Sequence, residues 1–118
     1  MRFIIPRPPS INHLYVTNRY TGQRVIGRKG KEWFEEAGWE IKRQLKSWKT
    51  IENKCAITIV LYYCGRLDYD NALKCINDLI SRHLDLIKDD DLIYQASIRK
   101  VKVPHRKDQA VNVTIEEL

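Results

Sequence analysis

The chain has 118 residues, with 21 Lys and Arg against 15 Asp and Glu, a formal net charge of +6 and a pI near 9.3. That length makes one domain, 1–118, able to bury an ordinary core without staples, and its hydrophobic content of 43% is that of a soluble globular protein. Excluded are a bilayer span, for want of a long apolar run, and a secretory leader, because prolines break MRFIIPRPPS after three apolar residues.

In chain order, residues 2–5 (RFII) read as a short strand stopped by Pro6, Pro8 and Pro9. From Ser10 to Gly30 the chain is polar and turn-rich, with β-prone pieces at 14–16 and 24–26 around Thr21-Gly22, a loose hairpin or loop. Trp33, Phe34, Ala37, Ile41 and Leu45 recur at helical spacing and predict a helix over 31–47. Residues 54–63 (KCAITIVLYY) are β-branched and aromatic, as a central strand requires. A second helix is expected over 71–83, with Leu73, Ile76 and Ile80 on one stripe and Leu79 beside it. Residues 92–103 alternate loosely and 110–115 more clearly, so with PHRKDQ between them they read as a closing hairpin. The order β-loop-α-β-α-β-β predicts an α+β fold, a single mixed sheet with two main helices packed against it. Cys55, Cys64 and Cys75 are odd in number and widely spaced, without zinc-ligand spacing, so they read as reduced structural thiols of a cytoplasmic protein.

A basic chain points to a polyanionic partner, yet Asp68 and Asp70 lie in the run RLDYDNALK, between strand and helix. Carboxylates repel a phosphate backbone unless a divalent cation lies between them, which is the chemistry of a metal-dependent nuclease. In an extended chain residues two apart point to one side, so the two carboxylates would converge on one ion. Lys74, four residues after Asp70, would face the same site. Asp89-Asp90-Asp91 offers a third acid, provided the strand-helix-strand connection returns it to the same end of the sheet. Each element also has a plainer reading. Asp70 suits the N-cap of the second helix, Lys74 and Asp78 suit an i,i+4 ion pair, and three consecutive aspartates suit a solvated turn.

Three motifs in order, PPSIN (8–12), DYDNALKCINDL (68–79) and DDDLI (89–93), give the chain a resemblance to the RusA family of Holliday junction resolvases. These are crossover junction endodeoxyribonucleases common in prophages. The resemblance implies that Asp68 and Asp70 are catalytic acids and metal ligands, with Lys74 as the catalytic lysine. It implies Mg²⁺, or Mn²⁺, as cofactor, branched DNA (a four-way junction) as partner, and a homodimer making two symmetric cuts. The apolar N-terminal strand is a candidate element of that dimer. For the third acid, setting Ile93 on the family's aliphatic position selects Asp90, whereas a slip of one residue selects Asp91.

The DNA-binding set is expected to comprise Arg19, Arg24, Arg28 and Lys29 in the early loop, Arg66 beside the acids, and Arg99, Lys100, Lys102, Arg106 and Lys107 near the C-terminus. Phosphate contacts are blind to sequence, so the shape of the branch would carry recognition. Tyr15 and Tyr20 suit either stacking on unpaired bases or hairpin packing. Two other readings compete: a non-catalytic nucleic-acid-binding module, and a nuclease for other branched or flapped DNA.

Overall fold

The computed structural model describes residues 1–10 and 15–118. In chain order its elements are β1 (Arg2–Ile5), β2 (Tyr15–Thr17), β3 (Arg24–Ile26), α1 (Arg28–Leu45), β4 (Cys55–Tyr63), α2 (Tyr69–Asp78), β5 (Ile93–Lys102) and β6 (Ala110–Glu117). Strands β2 and β3 pair as a separate small antiparallel sheet, with Val16 opposite Val25. The expected α+β class is borne out, and the early polar segment holds a hairpin. Residues 11–14, which include the end of the PPSIN motif, lie outside the described residues.

The main sheet has the order β1-β6-β4-β5. β4 earns its central place by composition: Cys55, Ile57, Ile59 and Leu61 are all buried, and β-branched side chains stack well on a pleated face. Val111, Val113 and Ile115 of β6 continue that face from the antiparallel side, pairing with Leu61, Ile59 and Ile57. Phe3 and Ile5 of β1 extend it by one strand. Helix α1 lays Trp33, Phe34, Ala37 and Ile41 on this layer, and α2 adds Ala72, Cys75 and Ile76. Among the described residues no helix is long and apolar enough to cross a membrane.

The closing hairpin expected from residues 92–115 does not form. β5 runs parallel to β4, with Cys55 beside Ile93 and Tyr63 beside Lys102, while β6 lies on the opposite edge of β4. The link between them passes over the end of β4, where Val103 N donates to Tyr63 O at 2.7 Å. Burial decides this order. The clean alternation of β6 is worth most against β4, whereas β5 has no fully buried residue and takes the edge.

The two edges of the sheet differ. On β1 the amide of Gln44, reaching down from α1, accepts from Ile4 N at 2.7 Å and donates to Ile4 O at 2.6 Å. One side chain thereby occupies both backbone groups that Ile4 would offer to a further strand. Among the described residues no strand lies beyond β5.

Candidate active site

The loop after β4 is the foundation of the site. Gly65 has φ +82°, a left-handed conformation that costs glycine little and other residues more. The Arg7 guanidinium reaches across to this loop. Its Nη1 donates to Cys64 O at 2.9 Å and to Gln109 Oε1 at 2.5 Å, and its Nη2 donates to Arg66 O. Gln109 Oε1 also accepts from Cys64 N at 2.9 Å. From β5, Lys100 Nζ donates to Leu67 O at 3.0 Å and lies 5.0 Å from the Tyr63 ring centroid. Three of the four residues before Asp68 are thus held by side chains from three distant parts of the chain.

Asp68 and Asp70 are not in extended chain. Asp68, rather than Asp70, is the N-cap of α2, and its Oδ1 accepts from Asp70 N at 3.1 Å. Asn71 Nδ2 donates to Asp68 Oδ2 at 3.1 Å, so each oxygen is oriented by one donor. Asp70 sits in the first helical turn, where the partial positive charge of the helix end favours a carboxylate. The two acids therefore share a helix N-terminus, which replaces the strand alternation expected from spacing. Lys74 lies one turn further on the same helix, on the face of Asp70, and is exposed. Beside Asp68 a cleft of about 210 Å³ opens between Pro8, Pro9 and Arg66. Beyond Asp78 the helix widens into a π-type turn, Leu79–His83, closed by Leu84 N donating to Leu79 O.

Asp90 is elsewhere. Asp68 follows the end of β4, level with Lys100 and Lys102, whereas Asp89-Asp90-Asp91 precedes the start of β5, level with Cys55. The parallel register separates those levels by nine strand residues, roughly 25–30 Å. Within one chain the helix does not bring the third acid back to the first two. Among the described residues no three His, Cys, Asp or Glu are grouped to hold a metal ion. Nor is 89–91 an extended segment. Asp90–Leu92 is a 3₁₀ turn capped by Asp89, whose Oδ1 accepts from Asp91 N at 3.2 Å. That backbone N–H and a hydrogen bond shared with Asp90 hold the Asp89 carboxyl below its ordinary range. The same shared bond, together with slight desolvation and the charge of Asp89, pushes the carboxyl of the exposed Asp90 up. Arg82, at the far end of the helix layer, is close enough to act on both.

The expected basic residues divide by position. Arg66, Lys100 and Lys102 lie at the Asp68 end of the sheet, and Arg106 and Lys107 occupy a 3₁₀ turn (Arg106–Asp108) in the link that crosses it. Arg99 is beside Val60, on the strand leading there. Arg19, Arg24, Arg28 and Lys29 flank the small hairpin and the start of α1. That helix begins at the same end of the sheet, where Trp33 Nε1 donates to Pro6 O at 3.0 Å. Arg28 pairs with Glu32 at 3.2 Å. Lys100 has a structural task alongside any phosphate contact.

Arg7, Asn71 and Gln109 were not singled out by sequence. Asn71 stood inside the DYDN motif and Arg7 immediately before PPS, but only the fold shows them gripping the loop. Cys55 and Cys75 are buried. Burial, with Asp78 nearby, pushes the Cys75 thiol up to about 11, so it stays protonated at neutral pH.

Residues 6–116 match the family model described as Endodeoxyribonuclease RusA. No curated protein matches the chain.

Proposed function

Because the chain belongs to the RusA endodeoxyribonuclease family, we propose that it is a metal-dependent endonuclease that resolves four-way DNA junctions by paired phosphodiester hydrolysis. The observation that carries this reading is the Asp68-Asp70 turn, two exposed carboxylates on one helix N-terminus at the basic end of the sheet. In a surface that only grips phosphates, an exposed acidic pair would weaken binding.

The donor set suits Mg²⁺ or Mn²⁺. Both ligands are hard carboxylate oxygens, and the single hydrogen bond to each Asp68 oxygen leaves lone pairs free. Asp68 and Asp70 would hold the ion, and Asp90, at the other end of the sheet, could join them only from a second chain of the expected homodimer. When bound, it neutralises the phosphodiester and lowers the pKa of a coordinated water. The remaining work belongs to the protein. Asn71 and the N–H of Asp70 aim the Asp68 carboxylate, and Arg7 and Lys100 keep its loop from shifting when DNA binds. Lys74 offers an ammonium to the negative charge that builds on the phosphate oxygens as the bond breaks. The cations of the loops and β5 bind backbone phosphates, and the branch itself selects the substrate through its shape.

The test is cleavage of a labelled four-way junction with Mg²⁺, against linear duplex of the same sequence. The wild type should cut the junction and spare the duplex. Asp70→Asn should abolish cutting while junction binding persists, since the amide is nearly isosteric but a poor metal ligand. Full cleavage by purified Asp70→Asn would refute the assignment. Binding without cleavage by the wild type would favour the non-catalytic module, and equal cutting of flaps and junctions would favour the broader nuclease.

A further inference from the structure

Positive charge is unevenly spread along this chain. Residues 1–31 carry seven Lys and Arg and no Asp or Glu, whereas the rest is near neutral, with 14 Lys and Arg against 15 Asp and Glu. The β2–β3 hairpin stands in that acid-free stretch. Strands of three residues seldom pair stably by themselves. This pair is rooted in the body, because Ile26 packs against the core and Gly27 leads into α1 at the Asp68 end of the sheet. Its tip is closely bonded. Asn18 Oδ1 accepts from Tyr20 N at 2.8 Å and from Thr21 N at 3.2 Å. Asn18 N donates to Gln23 O at 2.7 Å, and Gly22 N donates to Asn18 O at 2.9 Å. Gly22 takes φ +72°, a conformation that suits glycine and strains other residues. None of these bonds uses the Tyr20 ring, which is 93% exposed in the middle of the tip.

The setting of that ring identifies what it meets. Trp39, the next most exposed large apolar side chain among the described residues, stands among Glu32, Glu35, Glu36 and Glu40, which repel a phosphate backbone. Tyr20 instead follows Arg19 and precedes Arg24, Arg28 and Lys29, which draw one in. We infer that the β2–β3 hairpin reads the branch of the DNA: Tyr20 stacks on the face of a nucleobase exposed at the crossover, while the flanking cations hold the phosphates beside it. The inference rests on the reading of the chain as a junction enzyme and supplies a source for its selectivity. In linear duplex every base lies between two others, so a ring enters only by breaking a stack. At an open crossover the strands exchange partners, and the last base of each arm has a neighbour on one side only. The ring takes the vacant place at little cost. A ring already fixed on ordered backbone also loses little freedom on binding. Every base has such a face, so the contact recognises shape rather than sequence.

Binding tests the selectivity. A four-way junction and a linear duplex of the same sequence are titrated by gel shift without added metal, so that cleavage plays no part. Wild type should prefer the junction. Tyr20→Ala should lose about tenfold in junction affinity, the scale of one base-on-ring stack. Its duplex affinity should stay within about twofold of wild type, since the phosphate contacts remain. Tyr20→Phe, which keeps the ring, should match wild type on both DNAs. A junction preference that survives Tyr20→Ala would overturn the inference and leave the junction reading standing. Equal losses on the two DNAs would overturn it as well, because Tyr20 would then be a general contact. A wild type without preference would sink the junction reading and the inference together.

Contact is tested separately by cross-linking. Iodouracil is placed singly at each position flanking the crossover, and the irradiated complexes are digested and read by mass spectrometry. The halogenated base couples to an aromatic ring stacked upon it. At least one position should give a cross-link at Tyr20 in the junction, and the same base in linear duplex should give none there. Absence of a Tyr20 cross-link at every position, with wild type bound to the junction, would overturn the stacking.

Discussion

Two turns in this molecule share one local design. At Asp68 and again at Asp89, an aspartate in extended conformation caps the residues after it and accepts from the N–H two positions on, at 3.1 and 3.2 Å. In both, a further aspartate occupies the turn that follows. Their surroundings differ completely. The first turn launches a ten-residue helix and stands on a loop held by Arg7, Gln109 and Lys100. The second launches three residues of 3₁₀ turn, and its neighbouring carboxyls push one another's protonation in opposite directions. The same short motif sets the same local geometry, and tertiary support separates a firmly held pair of carboxylates from a solvated acidic tip.

Substitutions at four positions press on that contrast. The largest effect is expected at Lys74, which has no counterpart at the second turn. Lys74→Ala should slow single-turnover cleavage by about a hundredfold or more, the scale of losing a donor to transition-state charge. Junction affinity, read by gel shift, should change much less. If rate and affinity fell together, Lys74 would be one phosphate contact among many, and the first turn would lose its claim to the chemistry.

Arg7→Ala removes the clamp and leaves the acids in place. Loss of its charge-assisted bonds to Cys64, Arg66 and Gln109 should cost about 2–3 kcal/mol of stability in urea denaturation. Arg7→Lys should recover little, because an ammonium lacks the planar fork that spans these acceptors. Unchanged stability in both variants would mean that the first turn is no better supported than the second.

The smallest effect separates the caps themselves. Asp68→Ala removes an N-cap from a full helix and should destabilise the protein by about 1 kcal/mol, whereas Asp68→Asn should retain most of that. Asp89→Ala, capping a single short turn, should leave the melting temperature unchanged. Equal shifts at both sites would show that helix length adds nothing to the worth of a cap.

Much of this architecture was legible in the sequence, because period and burial agree. The alternation of 54–63 and the apolar stripe of 31–45 specify their elements locally, and both formed with shifted ends. α1 starts at Arg28, earlier than its periodicity suggested, since Gly30 is buried within it. The motif acids were legible as residue types. Their arrangement was not, because it depends on which strands are neighbours. A hairpin and a parallel crossover look alike in residues 92–115, and only competition for the edges of β4 decides between them. That decision moves Asp90 from one end of the sheet to the other. The grip of Arg7 on residues far along the chain likewise leaves no periodic trace.

The Gln44 bracket on Ile4 has a consequence for assembly size. A sheet with two open edges adds copies without limit and grows into a fibre. With a primary amide standing in for the missing peptide group at Ile4, the β5 edge alone is left uncovered among the described residues. Gln44 is thus a chain terminator: it stops strand addition beyond Ile4, so that growth of the sheet in both directions at once is ruled out.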